Sequence, residues 1–200
     1  MKIGFFGGTF DPIHFGHINL ALELSEIYKL DQVLFCPTAL SPHKNNAPPA
    51  AESSHRKIMV EMAIASVSHF AFCDLEINRK TPSFTVDTIR MLKEERARDQ
   101  FFLLLGEDAL TRLQEWKNIK ELIEMAPPLV GVRVLDGNVL HKEISLELRE
   151  LVKKGMTSIH LMDISSTYLR ERLRLGLYCR HLMSANVLDY IYANKLYSIL

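Results

Sequence analysis

The sequence predicts an α/β chain built on a doubly wound parallel sheet, with a small helical part at its C-terminal end. Three observations carry that expectation. Short apolar runs alternate with longer amphipathic ones along most of the chain. Two of the runs, VLFC and FFLLL, hold almost no polar residue, as strands covered on both faces do. After the last apolar run the pattern is helical only, and alternating strands and helices imply βαβ units with right-handed crossovers.

Residues 2–6, 32–36, 70–74, 101–105, 129–132 and 158–162 read as strands from their length and lack of helical period. Residues 16–28 place Ile18, Ala21, Leu22 and Leu24 on one face, and residues 55–67 repeat this with Ile58, Met59, Met62 and Ala65. Residues 86–96 and 144–153 are amphipathic in the same way, and 166–175 and 185–196 form the helical end. Between them, residues 42–54 (PHKNNAPPAAESS) are rich in Pro and Asn and read as a mobile loop. No repeat or linker divides the chain, so residues 1–200 are expected to form one domain with 166–200 as a helical subregion.

Composition excludes several classes. The 24 basic and 24 acidic side chains cancel, which argues against a nucleic-acid binder. No apolar stretch approaches the ~20 residues that span a bilayer. The run IGFF is cut by Gly7-Gly8 too early for a signal-peptide core. Cys36, Cys73 and Cys179 are odd in number and lack framework spacing, so a reducing, cytoplasmic setting is expected.

Two stretches carry unusual chemistry. In GGTFDPIHFGH, Gly7-Gly8 end the first strand and let backbone turn close to a ligand. Asp11-Pro12 stop the strand, and His14 and His17 follow three apart at a helix start. That spacing puts both imidazoles on one face beside the positive end of the helix dipole, which suits phosphate. The pattern is neither a dinucleotide fingerprint nor a Walker loop, and no third ligand at matching spacing makes it a zinc site. In ISSTYLR, Ser165, Ser166 and Thr167 supply hydroxyls and amides to a second helix start, with Arg170 one turn inside. Two helix N-termini at one sheet edge are suited to gripping one polyphosphate.

With its HxGH core and ISSTYLR, the chain resembles the HxGH nucleotidylyltransferase superfamily, whose fold is Rossmann-like. CPTALSPHK, TPSFTVDTI, GEDALTRLQEW and NVLDYIYANKLY make it similar to the bacterial nicotinate-nucleotide adenylyltransferases over nearly its whole length. The resemblance implies transfer of AMP from ATP to nicotinate mononucleotide, giving deamido-NAD and pyrophosphate, with Mg²⁺ held by the ATP phosphates rather than by the protein.

It also implies residue roles. His14, His17, Lys44 and Arg170 would be catalytic. ATP would be bound by Gly7, Gly8, Thr9, Phe10, His14, His17, Gly106, Asp108, Ser165, Ser166, Thr167 and Arg170. Nicotinate mononucleotide would be bound by Thr9, Phe10, Lys44, Thr85, Trp116 and Arg133. Phe84 stands where the family commonly has tyrosine, Lys117 follows Trp116 where many relatives have tyrosine, and Val134-Leu135 replaces a frequent Pro-Gly pair. The alternatives are a phosphopantetheine adenylyltransferase, a nicotinamide-mononucleotide adenylyltransferase and, from another class, a non-catalytic nucleotide-sensing module. Substrates are the expected partners, without nucleic acid or membrane; the chain is a monomer or homo-oligomer.

Overall fold

Six strands form one all-parallel sheet in the computed structural model, which describes residues 1–40, 48–79, 81–133 and 145–198. They are β1 (Lys2–Gly8), β2 (Gln32–Pro37), β3 (Phe70–Phe72), β4 (Gln100–Gly106), β5 (Pro128–Val132) and β6 (Met156–Ser158). Their order across the sheet is β3-β2-β1-β4-β5-β6, and β1 pairs with β2 on one side and β4 on the other. The chain winds outward in one direction from β1 and then in the other from β4. A crevice therefore opens at the C-terminal tips of these two strands, the place where such sheets bind ligands.

The helices are α1 (Phe15–Tyr28), α2 (Ser53–Ile64), α3 (Thr85–Glu95), α4 (Glu107–Leu110), α5 (Ile119–Met125), α6 (Leu146–Lys154), α7 (Ser166–Arg174) and α8 (Ala185–Ala193). They cover both faces, because side chains along a strand alternate between faces. Val33 and Phe35 of β2 join one apolar cluster with Leu24, Met59, Leu169 and Ile191. Leu34 and Cys36 join the other with Ile89, Leu122 and Val152. Each fully buried Leu, Ile or Phe contributes about 1.5–3 kcal/mol through removal from water. The C-terminal helices α7 and α8 share the first cluster with α1 and α2. Asn186 fixes α8 to α2 by donating to the carbonyl of Met62.

Three details differ from the sequence-based expectation. The last strand is Met156–Ser158, earlier than residues 158–162. After Ile159 donates to the Val132 carbonyl, the backbone closes on itself, Leu161 to Ile159 and Ile164 to Met162, and leaves the sheet. Strand β3 ends at Phe72. Between β4 and β5 the chain forms α4, a 3₁₀ turn (Leu113–Glu115) and α5, elements too short to show a helical period. The edge pairing of β5 with β6 also depends on Gly155, because a Cβ there would lie 1.8 Å from the Pro128 carbonyl oxygen.

Candidate active site

Two cavities meet at the tip of β1. The larger, about 880 Å³, lies over the β1–β4 crevice, between the start of α1 and the start of α7. The smaller, about 170 Å³, lies on the other side of the strand tip, bounded by the start of α3 and by Trp116. Gly7, Gly8, Thr9 and Trp116 border both.

His14 caps α1 and His17 sits one turn later, so the imidazoles stack with centroids 3.7 Å apart. The His14 backbone N–H donates to His17 Nδ1 at 3.2 Å. An accepting Nδ1 places the proton of neutral His17 on Nε2, leaving that nitrogen the donor of the ring. Phe10 packs edge-on against the His17 ring at 5.0 Å and so fixes its plane. His14 is 5% exposed, and burial lowers its pKa from 6.5 to about 4, so it is neutral at ordinary pH. Its Nδ1 is enclosed at the start of α1, where His14 and His17 form a reciprocal capping box, and the residue lines the larger cavity. Gly16 packs closely beside it: a Cβ there would lie 3.0 Å from His14 Nδ1 and 3.2 Å from the Met162 carbonyl, crowding the imidazole.

The second helix start is joined to the first. Ser165 caps α7, its hydroxyl accepting from the Tyr168 N–H. Ser166 Oγ donates to the Pro12 carbonyl at 2.9 Å, and Arg170 Nη1 donates to the Asp11 carbonyl at 2.7 Å. Arg170 Nη2 also donates to Thr167 Oγ1. The guanidinium, both hydroxyls and the amides of α7 thus border the same cavity as His14 and His17.

Phe10 is buried with φ +48°, a left-handed conformation that costs a non-glycine residue on the order of 1–3 kcal/mol. Its flanking carbonyls are held on both sides: Arg56 Nη1 donates to Thr9 O at 2.8 Å, and Arg170 donates to Asp11 O. Arg56, 0% exposed, also donates to the carbonyls of Thr38 and Ala51. Hydrogen bonds from charged donors contribute about 1.5–3 kcal/mol each, enough to retain the strain.

Asp108 is exposed on α4 and its carboxylate folds back over Gly106, where an added Cβ would lie 2.7 Å from Oδ1. Both border the larger cavity, as does Arg133, whose guanidinium approaches Asp163 at 3.8 Å. Arg133 therefore stands on the Asp108 side rather than in the smaller cavity. Thr85 is the first residue of α3, and its helix N-terminus faces the smaller cavity opposite Trp116. Lys117 Nζ lies 4.6 Å over the Phe84 ring and pairs with Asp87. Lys44 lies outside the described residues.

Sequence reasoning assigned no site role to Asp11, Arg56, Glu76 or Tyr197. Glu76 is 3% exposed beside the smaller cavity; burial raises its pKa, and Thr88 Oγ1 donates to it at 2.7 Å. Arg56 stands between His55 and Lys57 and Glu76 between Leu75 and Ile77, and nothing local marks either as buried.

A crevice at the sheet's switch point, with two helix N-termini and two imidazoles on its wall, defines a nucleotide-binding α/β enzyme. Residues 5–172 match the family model described as Cytidylyltransferase-like, and the chain belongs to that family. Its full-length relatives bear a more particular name. A probable nicotinate-nucleotide adenylyltransferase of Dictyoglomus thermophilum is 38% identical over 202 residues, covering 98% of this chain and 100% of the relative. One from Bacillus cytotoxicus is 35% identical, covering 98% of each. Among solved structures, a Plasmodium falciparum nicotinic acid mononucleotide adenylyltransferase complexed with NaAD superposes with a TM-score of 0.77. That likeness is one of fold, at 21% identity over 98% of this chain and 97% of that one. Among the described residues no helix is long and apolar enough to cross a membrane.

Proposed function

We propose that the chain transfers the adenylyl group of ATP to nicotinate mononucleotide, forming nicotinate adenine dinucleotide and pyrophosphate. A phosphate oxygen of the mononucleotide attacks the α-phosphorus of ATP; the bond to the bridging oxygen breaks, and pyrophosphate leaves with that electron pair. The observation that carries the reading is the pair of cavities joined at Gly7–Thr9, the larger bordered by His14, His17 and the start of α7. Full-length relatives at 35–38% identity named for this reaction support it.

ATP is assigned to the larger cavity. His17 Nε2–H and His14 face its phosphates, and Ser166, Thr167, Arg170 and the α7 amides hold the β- and γ-groups. Gly106 and Asp108 stand at the adenosine ribose, a carboxylate being a hydroxyl acceptor. The reaction needs positioning and charge neutralisation, with no protein nucleophile. Among the described residues no group of three or more His, Cys, Asp or Glu side chains converges on a metal position. The imidazoles and guanidinium of the phosphate end are poor ligands for a hard cation, which prefers oxygen donors. Mg²⁺ is accordingly assigned to the ATP phosphate oxygens, where it would neutralise charge on the leaving group.

The pyridine ring is assigned to the smaller cavity, against Trp116 and the start of α3. The first amides of a helix lack intrahelical partners and favour an anion. That selects the carboxylate of nicotinate over a neutral amide. Lys44 is assigned to the mononucleotide phosphate, whereas Arg133, on the Asp108 side of the larger cavity, is not. A pyrophosphate-release assay with ATP and nicotinate mononucleotide, nicotinamide mononucleotide or phosphopantetheine tests the reading. Turnover is expected with the first and much less with the second. Equal rates for the first two would remove the acid preference, and turnover with phosphopantetheine alone would replace the reading.

A further inference from the structure

We infer that Tyr197 is a positioning residue for the phosphate end of the site, acting through Asp11 to keep Arg170 available to an anion. The inference rests on the assignment of ATP phosphates to Arg170. Asp11 is 4% exposed and binds three remote parts of the chain together. Its carboxylate accepts from the N–H of Ala50 at 2.7 Å, from the N–H of Ala51 at 3.1 Å and from the Tyr197 hydroxyl at 2.7 Å. Arg170 Nη1 lies 3.9 Å from Asp11 Oδ2, yet its hydrogen bond goes to the Asp11 carbonyl. The anion beside Arg170 is thus already held by three other donors, and the guanidinium is not drawn fully onto it.

The chain end is shaped for this contact. After α8, Lys195 (φ +51°) and Tyr197 (φ +62°) both adopt the left-handed conformation, and the Leu196 N–H closes back onto the Ile191 carbonyl. Two left-handed non-glycine residues within three positions turn the phenol back across 186 residues of sequence to Asp11. Burial, and then the Asp11 charge, raise the tyrosine pKa, so the hydroxyl remains a donor at every working pH. Without that donor, Oδ1 loses one of its partners, and an under-satisfied buried carboxylate turns to the nearest cation. That cation is Arg170, which would be withdrawn from the polyphosphate.

Tyr197→Phe keeps the ring and removes only the donor. The KM for ATP is expected to rise about tenfold, the scale of a lost hydrogen bond to a charged group. The KM for nicotinate mononucleotide and the melting temperature stay near those of the parent. An unchanged ATP KM in the folded variant, or equal rises in both KM values, overturns the inference. In Tyr197→Phe/Asp11→Asn the capturing charge is gone, and the ATP KM returns toward the parent's; a value as high as the single variant's also overturns it. An inactive parent protein counts against the proposed reaction instead, and active parent protein with indifferent variants counts against this inference alone.

Discussion

His14 and His17 stack ring on ring, 3.7 Å between centroids and 26° between planes, with one of the pair buried and held neutral. The backbone N–H of the first residue fixes the proton of the second on Nε2. Neither ring can turn without disturbing the other, so the His17 Nε2 donor, proposed to meet the transferred phosphate, is oriented in the protein without a ligand.

Replacing His17 by Ala removes that donor while α1 retains its buried face. Turnover is expected to fall about 100- to 1000-fold, the cost of losing one preorganised donor to a developing charge. Steady-state kinetics together with a thermal melt check this. A folded variant with near-normal kcat would remove His17 from the chemistry.

Acid should destabilise the fold through His14. Its folded pKa of about 4 lies below the ordinary 6.5, so the unfolded chain binds this proton first as pH falls. The stability difference is absent above pH 7, grows from about pH 6.5 to 4, and levels off below, reaching about 3 kcal/mol. Chemical denaturation of the parent and of His14→Gln across pH 4–7.5 measures it. The parent should lose stability through this window more steeply than the variant.

Trp116 is the only tryptophan in the chain and borders both cavities, so its fluorescence reports occupancy at their junction. Nicotinate mononucleotide should change that emission with saturation, in the absence of ATP. Trp116→Ala should raise the KM for the mononucleotide about tenfold, the scale of one lost ring stack, with a smaller effect on ATP.

Arg56→Met leaves the carbonyls of Thr9, Thr38 and Ala51 without their charged donor in a dry interior. A loss of about 3 kcal/mol is expected in urea denaturation, since each buried acceptor left unpaired costs about 1–3 kcal/mol and part of this relaxes. Activity should fall further than stability explains, because the left-handed Phe10 loses one of its two flanking restraints.

The parts of this molecule legible in its sequence are those set by neighbours in the chain. VLFC and FFLLL announce strands covered on both faces, and HFGH places two imidazoles at a helix start because helical spacing is local. Asp11 was legible only as a strand stop before Pro12. Its acceptor role depends on Ala50, 39 positions away, and on Tyr197, 186 positions away. Arg56 sits beside His55 and Lys57 in sequence, yet it is the largest fully buried side chain among the described residues. The final strand was misplaced because IHLM is apolar enough for a strand, while its backbone pairs with itself on the way to Ser165.

The tip of β1 is a shared border, with Gly7, Gly8 and Thr9 facing both cavities. With each substrate in one chamber, as proposed, the dinucleotide made from them would be anchored in two at once. Tethering two weakly held halves raises the affinity of the whole through effective concentration, with no new contact. The product should therefore bind more tightly than either substrate, and its departure, rather than bond formation, should set the pace of turnover. A burst of product in the first enzyme equivalent of a rapid-quench experiment would reveal that, and a linear start would deny it.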